Sequence, residues 1–133
     1  VSTLQARGLS PVQIIETDYG LAPGEAALHA VVEASPEVTL VLCGTDVLAA
    51  GALRAATSLG LEVPRDISIT GFDDIGLANL VHPPLTTVRV PHRAMGQAAA
   101  KQILALVEGR PASRQMLETT LCLRSSLGPP AVR

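Results

Sequence analysis

Short apolar, β-branched runs alternate along this chain with longer stretches whose apolar positions recur at helical spacing. The strand-like runs are Val12-Gln13-Ile14-Ile15-Glu16, Thr39-Leu40-Val41-Leu42-Cys43, Ile67-Ser68-Ile69-Thr70 and Leu85-Thr86-Thr87-Val88-Arg89-Val90. Each is bounded by Gly, Pro or polar turn residues, as buried strands are. Pro23 to Ala34 reads as a helix with Ala27, Leu28, Val31 and Val32 on one stripe. Pro23 stands near its start, Glu25 in its first turn and Ser35-Pro36 at its close. Val47 to Leu59 reads as a second helix, with Thr45 or Asp46 placed to cap it and Gly60 to end it. Ile75 to Leu80 is expected to be short or irregular helix. Ala94 to Val107, opened by Pro91 and ended by Gly109 and Pro111, is a further long one. In the tail, Gln115–Thr119 and Thr120–Arg124 are consistent with extended segments before a Gly/Pro-rich end.

This βαβαβ order builds a parallel sheet through right-handed crossovers. In such a sheet the polar groups that close each strand lie on one edge, where open α/β sheets hold their ligands. Asp18-Tyr19, Thr45-Asp46 and Phe72-Asp73-Asp74 close three of the runs and are expected to converge there. Carboxylates accept paired hydroxyl donors, and an aromatic face stacks on a sugar or a base. The expected ligand is therefore small and polyhydroxylated or heterocyclic. Asp73 is the principal candidate contact, because a cap needs only one carboxylate and Asp74 stands beside it to hold the following turn. Asp46 reads as an N-cap, a ligand contact, or both. Tyr19 reads as a stacking residue or as ordinary packing.

Composition narrows the function classes. The 133 residues suffice for one cored domain, with 47% apolar residues, one Tyr, one Phe and no Trp. A net charge of −2 without a basic cluster gives no electrostatic footprint for nucleic acid. Cys43 and Cys122 have no metal-ligand or redox spacing and read as small buried hydrophobes of a reducing compartment. No leader-like N-terminus or membrane-length apolar run is present, so a soluble cytoplasmic protein is expected. Val1 to Gly8 resembles the end of a helix closed by Gly8, and no initiator Met precedes it, so the chain is expected to be part of a longer protein. His29, His82 and His92 pair with no nucleophile in sequence, and no hydrolase, zinc or phosphate-loop motif is found. No enzyme, metal or cofactor is expected.

Gly44-Thr45-Asp46-Val47-Leu48-Ala49-Ala50-Gly51-Ala52-Leu53-Arg54-Ala55 and Val63-Pro64-Arg65-Asp66-Ile67-Ser68-Ile69-Thr70-Gly71-Phe72-Asp73-Asp74-Ile75 resemble the LacI/GalR family of bacterial transcriptional repressors. Pro83-Pro84-Leu85-Thr86-Thr87-Val88, Gly96 and Leu123-Arg124-Ser125-Ser126 extend the likeness from about Gly8 to Ser126. The resemblance implies an α/β, parallel doubly wound, periplasmic-binding-protein-like effector domain, present in part. Residues 1–88 and 120–133 would form the C-terminal lobe, and 89–119 would cross to the N-terminal lobe, near the contacts of a homodimer. The implied function is binding of a small effector, a sugar or related metabolite, in a regulator that reaches operator DNA through a domain absent from this chain. A periplasmic sugar-binding transport protein is the alternative. By position Asp73 matches the family's effector-binding aspartate, and Tyr19 falls where an aromatic stacks on the effector. Thr45 stands where many members carry an Asn contact, with Asp46 beside it. Phe72 completes the ligand-binding set as a residue expected to pack under the cleft. Val90 stands where some sugar-binding members have Gln.

Overall fold

A computed structural model describes residues 2–130. Val1 of the expected helix end and residues 131–133 of the expected tail lie outside the described residues. In chain order the elements are α1 (Ser2–Gln5), α2 (Leu21–Ala34), β1 (Leu40–Leu42), α3 (Asp46–Ser58), β2 (Ser68–Thr70), α4 (Leu77–Leu80), β3 (Thr87–Arg89), α5 (His92–Val107) and β4 (Thr120–Cys122).

β1 and β2 pair in parallel, with Val41 opposite Ile69. β3 and β4 pair antiparallel, with Val88 opposite Leu121. Parallel bridges at Thr70–Thr86 and Asp73–Arg89 join the two pairs side by side. Along that seam the Gly71 N–H donates to the Thr86 carbonyl at 3.0 Å and the Ile69 N–H to the Ser126 carbonyl at 2.9 Å. Ser126 is buried at the joint. Its hydroxyl donates to the Ile69 carbonyl at 2.6 Å and accepts the Thr86 N–H at 2.8 Å. One side chain thus satisfies two buried backbone groups that would otherwise each cost about 1–3 kcal/mol.

The core lies between the sheet and α3, whose Ala49, Ala52, Leu53, Ala55 and Ala56 pack with Leu28, Ile67, Ile69, Ala78 and Leu85. Small residues on α3 let α2 approach at backbone distance, and two glycines make the notch. A Cβ on Gly24 would stand 2.9 Å from the Leu48 carbonyl carbon, and one on Gly51 2.9 Å from the Glu25 nitrogen. By contrast α5 buries only Ala105, leaving Met95, Ile103, Leu104, Leu106 and Val107 exposed.

One expected strand does not form. Residues 12–16 carry no ladder among the described residues, and Val12 and Ile14 are exposed. A strand needs a neighbour to take its N–H and C=O groups; β-branched composition supplies only the local preference. In the tail, β4 forms within the expected extended segment Thr120–Arg124, and residues 115–119 carry no ladder among the described residues. α2 begins at Leu21 rather than Pro23, which leaves Glu25 beyond its first turn. Among the described residues, no helix is long and apolar enough to cross a membrane.

Candidate functional site

Parallel pairing puts the C-terminal ends of β1 and β2 on one edge, and the backbone keeps them together beyond the strands. The Cys43 N–H donates to the Thr70 carbonyl at 2.9 Å and the Asp46 N–H to the Phe72 carbonyl at 2.8 Å. Thr45 is extended and caps α3, its hydroxyl oxygen accepting the Leu48 N–H at 3.2 Å. Asp46 is therefore not the cap. It is 1% exposed, and its two carboxylate oxygens accept the Thr87 hydroxyl at 2.5 Å and the Ile75 N–H at 2.8 Å. In this arrangement it fastens the first turn of α3 to β3 and to the loop after β2, and turns neither oxygen to a ligand. The turn expected to be held by Asp74 is held by Asp46. Gly71 is required here, since a Cβ would crowd the Asp46 carboxylate and stand 2.7 Å from Leu85 Cδ2.

Asp73 and Asp74 follow with φ of 111° and 56°, the two non-glycine residues with positive φ among those described. Such conformations cost about 1–3 kcal/mol each and persist where the surroundings over-determine them, often at functional sites. Asp73 is held by β3: its N–H donates to the Val88 carbonyl at 2.9 Å, and its carbonyl accepts the Val90 N–H at 3.3 Å. Its carboxylate is 28% exposed, with Oδ1 3.9 Å from His92 Nε2. Phe72 is 40% exposed.

Asp74 faces the other way. Its side chain is 4% exposed, with Oδ2 2.6 Å from Arg89 Nε and Oδ1 2.6 Å from an Arg124 terminal nitrogen. The Cys122 thiol lies 3.6 Å from Oδ2. Burial raises the Asp74 pKa, but hydrogen bonds from Arg124 and then Arg89 outweigh it and hold the carboxyl below the usual value. Arg124 is itself anchored, donating to the Leu85 carbonyl at 2.7 Å, while its N–H donates to the Thr86 hydroxyl at 2.9 Å. Sequence reasoning missed both arginines as partners. The available signal was a cation inside each of two strand-like runs, since a half-buried charge in a sheet needs a counter-charge.

At the third expected strand end Asp18 and Tyr19 are both exposed. Tyr19 is 70% exposed, and among the described residues no hydrogen bond or ion pair links Asp18 or Tyr19 to Asp73. A cavity of about 300 Å³, lined by Leu53, Thr57, Leu61, Glu62, Val63, His82 and Pro83, shares no residue with the corner. His29 lies elsewhere, 3.5 Å from the Ser58 hydroxyl. Among the described residues no three His, Cys, Asp or Glu side chains come together as metal ligands. Burial pushes the Cys43 thiol up to about 12, which suppresses the reactive thiolate.

Residues 2–127 match the periplasmic binding protein-like domain family. The chain is 49% identical over 94 residues to the HTH-type transcriptional regulator MalR of Streptomyces coelicolor, covering 71% of this chain and 27% of that protein. Its fold superposes on a dimeric Lac repressor carrying a C-terminal deletion with a TM-score of 0.89 and 30% identity, covering 97% of this chain and 48% of the repressor chain. It superposes on the transcriptional regulator CelR in complex with cellobiose at 0.87 and 30% identity, covering 94% of this chain and 39% of that one. The chain thus spans about a quarter of the curated regulator and less than half of each solved chain.

Proposed function

Because this chain belongs to the LacI/GalR family of periplasmic binding protein-like domains, we propose that it forms the effector-binding and dimerisation part of a DNA-binding transcriptional regulator. The relatives described above are regulators of transcription, which favours this reading over a transport protein and over an enzyme. In this reading the effector is a sugar or related metabolite, the partner is a second copy of the chain, and the place of action is the cytoplasm. Operator DNA is reached through another domain; the net charge of −2 offers it nothing here.

The observation that carries the reading is the Asp73 carboxylate, open on a strained backbone at the C-terminal edge of the sheet. A carboxylate there takes two hydroxyls of a sugar, with the exposed Phe72 ring beside it for the apolar face. CelR, solved with cellobiose, supports that ligand class. Tyr19 and the Thr45 hydroxyl are further proposed contacts. Asp46 joins them only if its present bonds to Thr87 and Ile75 open. Residues 1–88 and 120–133 are proposed as one lobe and 89–119 as a segment crossing to another. The sparse burial of α5 and its exposed apolar residues support that division and a homodimer contact on this helix. Ligand binding regulates only if it favours one lobe arrangement over another.

Calorimetric titration of cellobiose, lactose and a wider sugar panel tests this. Asp73→Asn should weaken whatever binds by about 1–3 kcal/mol, the cost of unmet polar partners. Unchanged affinity removes Asp73 from the site. A helix-turn-helix is expected in the sequence before Val1, and a secretory leader there would sink the regulator reading.

A further inference from the structure

We infer that Asp74 is the positioning residue of this site: its ion pairs to Arg89 and Arg124 hold the strained Asp73 backbone in place and tie it to both β3 and β4. The inference rests on the proposed ligand role of Asp73. A residue at φ 111° does not hold itself there. Its own tether to β3 is two backbone bonds, one of them long at 3.3 Å. The next residue supplies what is missing. Asp74 is itself at φ 56° and is anchored through a buried carboxylate that gives one oxygen to each arginine at 2.6 Å.

The two arginines stand at informative places. Arg89 ends β3, one residue before Val90, whose N–H donates to the Asp73 carbonyl. Arg124 follows β4, and its guanidinium also donates to the Leu85 carbonyl. Between β3 and β4 the chain makes its whole excursion through α5. Asp74 therefore bridges the strand that leaves for that excursion and the strand that returns. A ligand that shifts the Asp73 peptide must shift Asp74, and with it the Arg89 and Arg124 ends of both strands. Without the carboxylate the two guanidinium groups lose the acceptor they share, and the Cys122 thiol loses its own.

Amide hydrogen exchange by NMR on the full chain separates positioning from general stabilisation. Asp74→Asn keeps the shape and removes the charge. The Asp73 and Val90 amides should then exchange at least about tenfold faster relative to the Leu53 and Ala56 amides of α3, the change expected when a buried charge loses its partners. Acceleration by one common factor at all four sites would mean a merely structural ion pair and would overturn the inference. Arg89→Gln, at the exposed end of the cluster, removes one pair and keeps the test open if Asp74→Asn does not fold; the same selective acceleration is expected, and equal acceleration refutes it. Cellobiose titration of the same proteins is read separately. Failure of the unaltered chain to bind sugar counts against the proposed function, whereas the exchange ratios decide the role of Asp74 either way.

Discussion

Replacing Asp46 tests whether the corner is built as described, because its buried carboxylate joins the start of α3 to β3 and to the loop after β2. Asp46→Asn leaves volume and shape unchanged. Its amide oxygen can still accept the Ile75 N–H, but the NH₂ then faces the Thr87 hydroxyl, which must turn round and accept. Two charge-assisted bonds become neutral ones. Bonds to charged groups contribute about 1.5–3 kcal/mol against about 1 for neutral pairs, so the loss over two bonds should be about 1–4 kcal/mol in all. Asp46→Ala removes both acceptors, leaves the Ile75 N–H and Thr87 hydroxyl without them, and deletes a negative charge from the first turn of α3. Its cost should be larger, about 3–5 kcal/mol. Urea unfolding followed by far-ultraviolet circular dichroism is the assay, since one Tyr and one Phe give little fluorescence to follow. An Asn variant within about 0.5 kcal/mol of the parent, the range of an indifferent surface change, would refute the buried bridge. So would an Ala variant milder than the Asn one. If Asp46 instead opens to bind effector, the Asn change should alter affinity while stability barely moves.

Gly51→Ala should destabilise by about 1–3 kcal/mol, the cost of overpacking, because its methyl meets the α2 backbone. Gly96→Ala, with open space around its Cβ in α5, should gain about 0.5–1 kcal/mol; similar effects in the two variants would deny the α2–α3 notch. The Asp74 pKa lies below its ordinary 3.8 in the folded chain, so the unfolded state binds more protons as the pH falls toward that value. The stabilisation from this group is present above pH 3.8 and is lost as the pH falls through the folded-state pKa, and Asp74→Asn should flatten the acid limb of the urea midpoint; an unchanged slope refutes the clamp. At a pH near 9.0, the ordinary thiol value, Cys43 should resist iodoacetamide in the folded chain and react in urea, and equal rates would contradict its burial.

What the hydrophobic pattern disclosed was local and period-dependent. α3 declared itself through Thr45 before it, alanines along it and Gly60 after it, and its observed ends differ from the expected ones by one residue. β1 and β2 declared themselves because each apolar run had a partner run at crossover distance. Val12 to Glu16 shows where the same signal stops. The run is as β-branched as the others, but strand formation is a property of two backbones, and nothing in one run specifies whether a second lies beside it.

The corner shows the same limit in side-chain chemistry. The sequence places four acids where β1 and β2 end or just before α2: Asp18, Asp46, Asp73 and Asp74. It does not say which will be exposed, and function turns on that. Asp46 is taken out of contention by Thr87, 41 residues away, and Asp74 by Arg124, 50 residues away. Thr87 lies on β3 and Arg124 just after β4, and the folded sheet alone fixes where these strands meet the first half of the chain. Once these partners are assigned, Asp18 and Asp73 remain, and Asp73 is the one that follows β2 at the sheet edge, its carboxylate engaged among the described residues by no donor closer than a histidine at 3.9 Å. A polar group kept accessible on a backbone that costs free energy to maintain is poorly explained by stability, since a glycine there would relieve the strain. The neighbouring clamp gives that strain a use. Under the proposed function, Asp74 and the strands it grips hold in place the Asp73 carboxylate that meets the ligand.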